Sequence, residues 1–174
     1  MPTIHYVAYG SNLHPTRMTE RVPSARVLGV IVLPGYLLAF NKRSTDKSAK
    51  CMLYSQQTQP SQAYGVLYEF NSNEKKLLDN AEGLGNGYYE QQVNVPLNGI
   101  DYIAYIYMAN SSHIDTSLPP YTWYKNLVLA GAVYHNFPAE YVQYIMDIAS
   151  LEDFDIDRRE KNNELLRQIG WEFI

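Results

Sequence analysis

Two apolar segments, Tyr88 to Val95 and Ile100 to Met108, are joined by Pro96-Leu97-Asn98-Gly99, and this pair constrains the fold more than any other part of the chain. Asn-Gly supplies the positive φ that a tight hairpin needs, so the two segments read as antiparallel neighbours. Along the second, Tyr102, Ala104, Ile106 and Met108 alternate with Asp101, Ile103, Tyr105 and Tyr107. Both faces are largely apolar, which places the strand in the middle of a sheet or barrel wall.

Further strands are expected at residues 4–9, 26–33, 35–40, 50–54 and 63–70, all rich in Val, Ile, Tyr and Leu and several bounded by Gly or Pro. Ser72 or Asn73 is expected to cap a short helix through Asp79 that ends near Gly83, Gly85 and Gly87. Pro119 and Pro120 precede a second helix, Tyr121 to about Tyr134, and Pro138 opens a third that carries Tyr141, Val142, Ile145 and Met146. Asp155 to about Ile169 reads as a surface helix, with Ile156, Leu165, Leu166 and Ile169 left to grip the body. Strands come first and helices late, without regular alternation, so the class is α+β with mostly antiparallel strands.

A chain of 174 residues is long enough for a sizeable core without staples and is read as one domain, residues 1–174. Apolar residues make up 46% and charged residues 18%, and no run of about 18 apolar residues could cross a bilayer as a helix. The N-terminus carries no basic segment followed by an apolar stretch and a cleavage site, so a cytoplasmic location is expected and no membrane partner. Cys51 is the sole cysteine, which rules out an internal disulfide and reads as a small packing residue. The net charge of −4 resides in residues 147–174, an acidic helical extension with eight acidic and four basic side chains. Residues 17–50 hold seven Lys or Arg against Glu20 and Asp46, an excess that could attract an anion or form a solvated face. Nothing resembles the basic, aromatic-studded surface of a nucleic-acid binder, so no nucleic-acid partner is expected.

Several chemistries are set aside by spacing. No phosphate loop is present, and Gly83-Leu84-Gly85-Asn86-Gly87 follows a helix and leads into a strand, the reverse of a dinucleotide site. His5, His14, His113 and His135 are scattered without a metal-ligand spacing. There is no Gly-x-Ser-x-Gly elbow.

Two constellations remain. In the first, a strand runs into Tyr9-Gly10-Ser11-Asn12, where bare backbone and two polar side chains can offer donors to a carboxylate or carbonyl oxygen. The same residues are also ordinary loop chemistry. In the second, Glu82 ends an amphipathic helix before three glycines, where burial would raise its pKa and suit it to proton transfer. A solvated helix-end glutamate is the plainer reading of that position. Lys42 and Arg43 follow a strand and could meet a substrate carboxylate or lie exposed.

Taken together, "YVAYGSNL" at 6–13, "PSARVLGVIVLPGYLLAFNKRS" at 23–44, "AYGVLYEF" at 63–70, "LLDNAEG" at 77–83 leading into "GYYEQQVNV", and "PYTWYKNLVLAGAVYHNFPAEYVQYI" at 120–145 resemble the γ-glutamylcyclotransferase family. The resemblance covers most of residues 4–146. It implies a small mixed barrel flanked by helices, with Tyr9, Gly10, Ser11 and Asn12 cradling the γ-glutamyl head, Glu82 as the catalytic carboxylate, and Tyr124 lining the pocket. Tyr121 stands where the family often has a serine, and "SAKCMLY" at 48–54 lacks a glycine common before the middle strand.

The activity so implied is cyclisation of a γ-glutamyl amide to 5-oxoproline with release of the amine, using no metal or cofactor, in the chemistry of glutathione metabolism. The substrate partner is a small γ-glutamyl compound. Oligomeric state is left open, a homodimer included. Two alternatives stand beside it: a non-catalytic binding module of the same fold, and an enzyme that removes a γ-glutamyl group from a larger amine.

Overall fold

The computed structural model describes residues 1–58 and 60–172, so the last two residues of the 147–174 extension lie outside the described residues. The strands are β1 (Thr3–Ala8), β2 (Arg26–Pro34), β3 (Tyr36–Arg43), β4 (Ala49–Ser55), β5 (Gln62–Asn71), β6 (Tyr88–Leu97) and β7 (Ile100–Ala109). The helices are α1 (Pro15–Arg21), α2 (Lys75–Glu82), α3 (Thr122–Tyr134), α4 (Ala139–Asp147) and α5 (Ile156–Ile169). Five strands form one sheet in the order β2-β5-β1-β7-β6, and β3 pairs with β4. The β1–β7 pair is parallel and the other neighbours are antiparallel.

The β6–β7 hairpin turns at Asn98 and Gly99, whose φ values of 52° and 79° are those the Asn-Gly pair was read to supply. β7 lies between β1 and β6, the interior position that its two apolar faces require. The sheet curls until its outer strands meet: a side chain at Gly29 of β2 would stand 3.0 Å from Leu97 of β6. The separate β3–β4 pair is tied to β6 of the larger sheet by Tyr88 Oη, which donates to the Cys51 carbonyl at 2.6 Å. The core inside includes Val7, Leu13, Met18, Leu67, Tyr68, Leu78 and Leu127.

Two local expectations are corrected, and one further helix is present. The turn at 72–74 is a 3₁₀ segment, and neither Ser72 nor Asn73 caps α2 with its side chain; instead Glu74 accepts from the Ser24 hydroxyl and amide, at 2.7 and 3.0 Å. Helix α1 was not anticipated from sequence, although Pro15 at its start is a favourable first-turn residue. In α5, Leu165 and Leu166 are buried and Ile169 packs against the core, but Ile156 is 63% exposed because it sits on the outward face of the first turn.

Glycine in the middle of α3 has a packing cause. A Cβ on Gly131 would lie 2.3 Å from Leu13 Cβ, so only glycine lets the helix approach the loop after β1 so closely. The Leu13 carbonyl then accepts from Tyr68 Oη and His135 Nε2, each at 2.8 Å. This clamp fixes the end of the loop that precedes α1.

Candidate active site

The central strand β1 ends at Ala8, and the next four residues form a turn. Leu13 N donates to Gly10 O at 3.2 Å, closing the turn. Gly10 is required here by close approach and not by a positive φ: a Cβ would stand 3.1 Å from Cys51 Cβ and 3.3 Å from Tyr124 Oη. Among the described residues, the Gly10, Ser11 and Asn12 amides and the Ser11 hydroxyl have no protein acceptor. They remain available to a ligand oxygen.

Glu82 is the last residue of α2. Gly83 follows in the left-handed conformation at φ 65° and ends the helix. Asn12 Nδ2 donates to Glu82 Oε1 at 2.8 Å, and Arg21 Nη1 donates to the same oxygen at 2.7 Å. Arg21 also donates to Asn12 Oδ1 at 2.8 Å, and Asn12 Nδ2 reaches Tyr6 Oη at 3.1 Å. From sequence Glu82 was a carboxylate at a helix end, either held at a pocket wall or solvated; the structure joins it to a guanidinium and a carboxamide. Oε1 is tethered, while Oε2 has no protein donor among the described residues, and Glu82 lines a cavity.

That cavity is lined by Tyr6, Tyr9, Gly10, Ser11, Asn12, Cys51, Glu82, Tyr88, Tyr107 and Tyr124, so it gathers Tyr9, Gly10, Ser11, Asn12, Glu82 and Tyr124 but neither Lys42 nor Arg43. Tyr9 Oη donates to Tyr107 O at 2.5 Å, and Cys51 N donates to Tyr124 Oη at 3.0 Å. Burial, and then the nearby Glu82 charge, pushes the Tyr6 phenol well above its ordinary value; Tyr9, Tyr88 and Tyr124 are likewise raised chiefly by burial. These phenols are neutral hydrogen-bonding groups near neutral pH. Burial also pushes the Cys51 thiol up to about 12, in keeping with its packing role.

An outer vestibule adjoins the cavity and shares Ser11, Glu82, Tyr88 and Tyr124 with it. Arg21, Lys42 and Lys50 add positive charge to its wall. Lys42 is 5% exposed, whereas its neighbour Arg43 is exposed and donates to Ser112 O, away from the cavity. Arg21, Tyr6, Tyr88 and Tyr107 were not singled out from sequence. Pro15 at the start of "PTRMTER" was the available signal for α1 and hence for Arg21. Among the described residues, no three His, Cys, Asp or Glu side chains gather as metal ligands, and no helix is long and apolar enough to cross a membrane.

Residues 62–145 match the model of the AIG2-like family. The chain is 29% identical to human γ-glutamylcyclotransferase over 149 residues, spanning 82% of this chain and 77% of the relative. Against the mouse protein of the same name it is 28% identical over 152 residues, with 84% and 79% covered. Over most of its length the chain is thus similar to γ-glutamylcyclotransferases. Its fold agrees: a solved γ-glutamyl cyclotransferase superposes with a TM-score of 0.81 at 24% identity, covering 96% of this chain and 99% of that one. The mixed, mostly antiparallel half-barrel with flanking helices is thus the architecture of this γ-glutamylcyclotransferase-like chain.

Proposed function

We propose that the protein is a γ-glutamylcyclotransferase that converts a γ-glutamyl amide into 5-oxoproline and a free amine. The observation that carries this reading is Glu82, with Oε1 held by Asn12 and Arg21, in the lining of a cavity shared with the Gly10–Ser11–Asn12 turn, whose amides donate to no backbone carbonyl. Such a site offers one mobile-proton carrier and a set of oxygen-binding donors, and the cyclisation needs just these.

In the reaction the substrate's α-nitrogen bonds to its own γ-carbonyl carbon while the C–N bond to the leaving amine breaks. The α-nitrogen sheds two protons in passing from ammonium to lactam N–H. The leaving nitrogen gains two in passing from amide to ammonium, so one carboxylate can relay both and no water is consumed. Intramolecular attack carries an effective molarity on the order of 10⁵ M or more when the geometry is right, which makes folding of the substrate the enzyme's main task. In this account the Gly10, Ser11 and Asn12 donors hold the head group's oxygens, the Tyr9 and Tyr124 side of the cavity limits its space, and Glu82 moves the protons.

Residues 1–174 act as one unit in this reading, with 147–174 an acidic extension, and the substrate is a small molecule. A cytoplasmic location is in keeping with a lone, buried thiol.

The test is mass spectrometry for 5-oxoproline after incubation with γ-glutamyl amino acids, γ-glutamyl amines and glutathione, beside Glu82→Gln. The parent should release it, and Glu82→Gln should retain fold and 5-oxoproline binding while losing roughly two to four orders of magnitude in rate. An unimpaired Glu82→Gln would remove Glu82 from the mechanism. Absence of release from every substrate, with binding of 5-oxoproline intact, would favour a binding module.

A further inference from the structure

The vestibule outside the catalytic cavity has an uneven charge balance. Arg21 is paired with Glu82 at 2.7 Å, and Lys50 is paired with Asp46 at 2.6 Å and bonded to Ser48 Oγ at 2.9 Å. Three cations therefore meet two carboxylates, and Lys42 is the one left over. Among the described residues it has neither a hydrogen bond nor a carboxylate within 4.0 Å; its ammonium lies 4.4 Å from the centre of the Tyr88 ring.

The surroundings are built to hold this side chain in place. Gly87 has φ 111°, and a Cβ there would lie 2.7 Å from Lys42 Cε and 3.0 Å from Nζ. The missing side chain at Gly87 is the room Lys42 occupies. With the residue 5% exposed, its ammonium still opens on the vestibule it lines, close enough to Glu82 to feel its charge. Burial lowers its pKa, with Lys50 acting in the same sense and Glu82 and Asp46 opposing. A nearly buried, unpaired ammonium is costly unless a ligand supplies the counter-charge.

We propose that Lys42 sets the leaving-group specificity of the enzyme by receiving a carboxylate carried on the departing amine. The assignment rests on the cyclotransferase reading: with the γ-glutamyl head in the inner cavity and the scissile amide at Glu82, whatever lies beyond that amide enters the vestibule. An α-amino acid presents its carboxylate one carbon from the leaving nitrogen. A simple amine, or a lysine side chain within a peptide, presents none there. Arg43, exposed and turned to Ser112, has no part in this contact.

The experiment compares kcat/KM for γ-glutamylalanine and γ-glutamylalaninamide, which differ only in that carboxylate, in the parent and in Lys42→Met. The parent should favour the acid on the order of 10- to 100-fold, mainly through KM, the scale of one charge-assisted hydrogen bond. Lys42→Met should bring the ratio of the two substrates towards unity. A parent that takes both substrates equally overturns the proposal without recourse to any variant. So does a Lys42→Met that keeps the parent's ratio while slowing both substrates alike, the mark of a purely structural role. If the parent releases 5-oxoproline from neither, the cyclotransferase reading itself falls, an outcome distinct from equal turnover of both.

Discussion

Arg21 Nη1 lies 2.7 Å from Glu82 Oε1 across 61 positions of sequence, and Asn12 bonds to both. The link joins the end of α1 to the end of α2 through the loop that follows the central strand. It restrains the Glu82 carboxylate, because a carboxylate held at one oxygen cannot rotate freely.

From that geometry Arg21 is a positioning residue for Glu82. Arg21→Met should lower kcat by about 100-fold, the scale of a misplacement near 1 Å, with a much smaller change in KM. Arg21→Lys should restore part of the rate, since it keeps the charge but not the forked geometry. Steady-state kinetics on one γ-glutamyl substrate decides it: an unchanged kcat in Arg21→Met would show that the ion pair has no part in turnover.

Gly10 is tested by volume. The valine side chain of Gly10→Val must displace Cys51 and Tyr124 or enter the cavity, since even its Cβ lies 3.1 and 3.3 Å from them. Binding of 5-oxoproline, followed by calorimetry, should weaken at least about tenfold, a loss of roughly 1.4 kcal/mol. Parent-like affinity would mean that the head group binds elsewhere.

Acidification should loosen α1. His14 Nδ1 accepts from Thr16 N at 3.2 Å as the cap of that helix, and burial followed by the neighbouring His135 lowers its pKa. A folded-state pKa below the unfolded value of about 6.5 means that the unfolded chain takes up the proton first. Its stabilising contribution is complete above that pH and is lost progressively as the pH falls through the lowered value. The melting temperature should therefore decline on acidification below about pH 6.5, and His14→Asn, which caps without titrating, should flatten part of the decline. An equally steep profile in His14→Asn would assign the loss to other groups.

Asp153 ties the C-terminal extension to the vestibule wall. It is buried and accepts from Trp123 Nε1 at 2.9 Å and from Arg158 Nε and Nη2, both at 2.6 Å, while the Trp123 ring lies 4.8 Å from Lys50 Nζ. Burial alone would push its carboxyl up, but the Arg158 and Trp123 hydrogen bonds hold it down at about 2. Asp153→Ala leaves those donors unpaired and should cost about 2 kcal/mol, a fall in melting temperature of roughly 4–8 °C by calorimetry. No change in melting temperature would mean that water replaces the carboxylate without loss.

The legible parts of this chain are those governed by neighbours in sequence. Asn98-Gly99 dictated its hairpin, the two apolar faces of Ile100 to Met108 put that strand inside the sheet, and Pro138 and Asp155 marked their helix starts. Tyr9, Gly10, Ser11, Asn12, Glu82 and Tyr124 were recognisable through their motifs, and the fold gathers them in one cavity. The sequence could not state what each meets there. That Gly10 yields to Cys51 and Tyr124, that Gly131 yields to Leu13, and that Gly87 yields to Lys42 are contacts between segments far apart in the chain. The same holds for the charges: Arg21, Lys42 and Lys50 are three basic residues in a basic stretch until the fold gives two of them carboxylates and leaves the third without one. Local pattern decides backbone conformation because hydrogen bonding and φ preferences act over a few residues, while partner and burial for a polar side chain are decided only when distant segments pack.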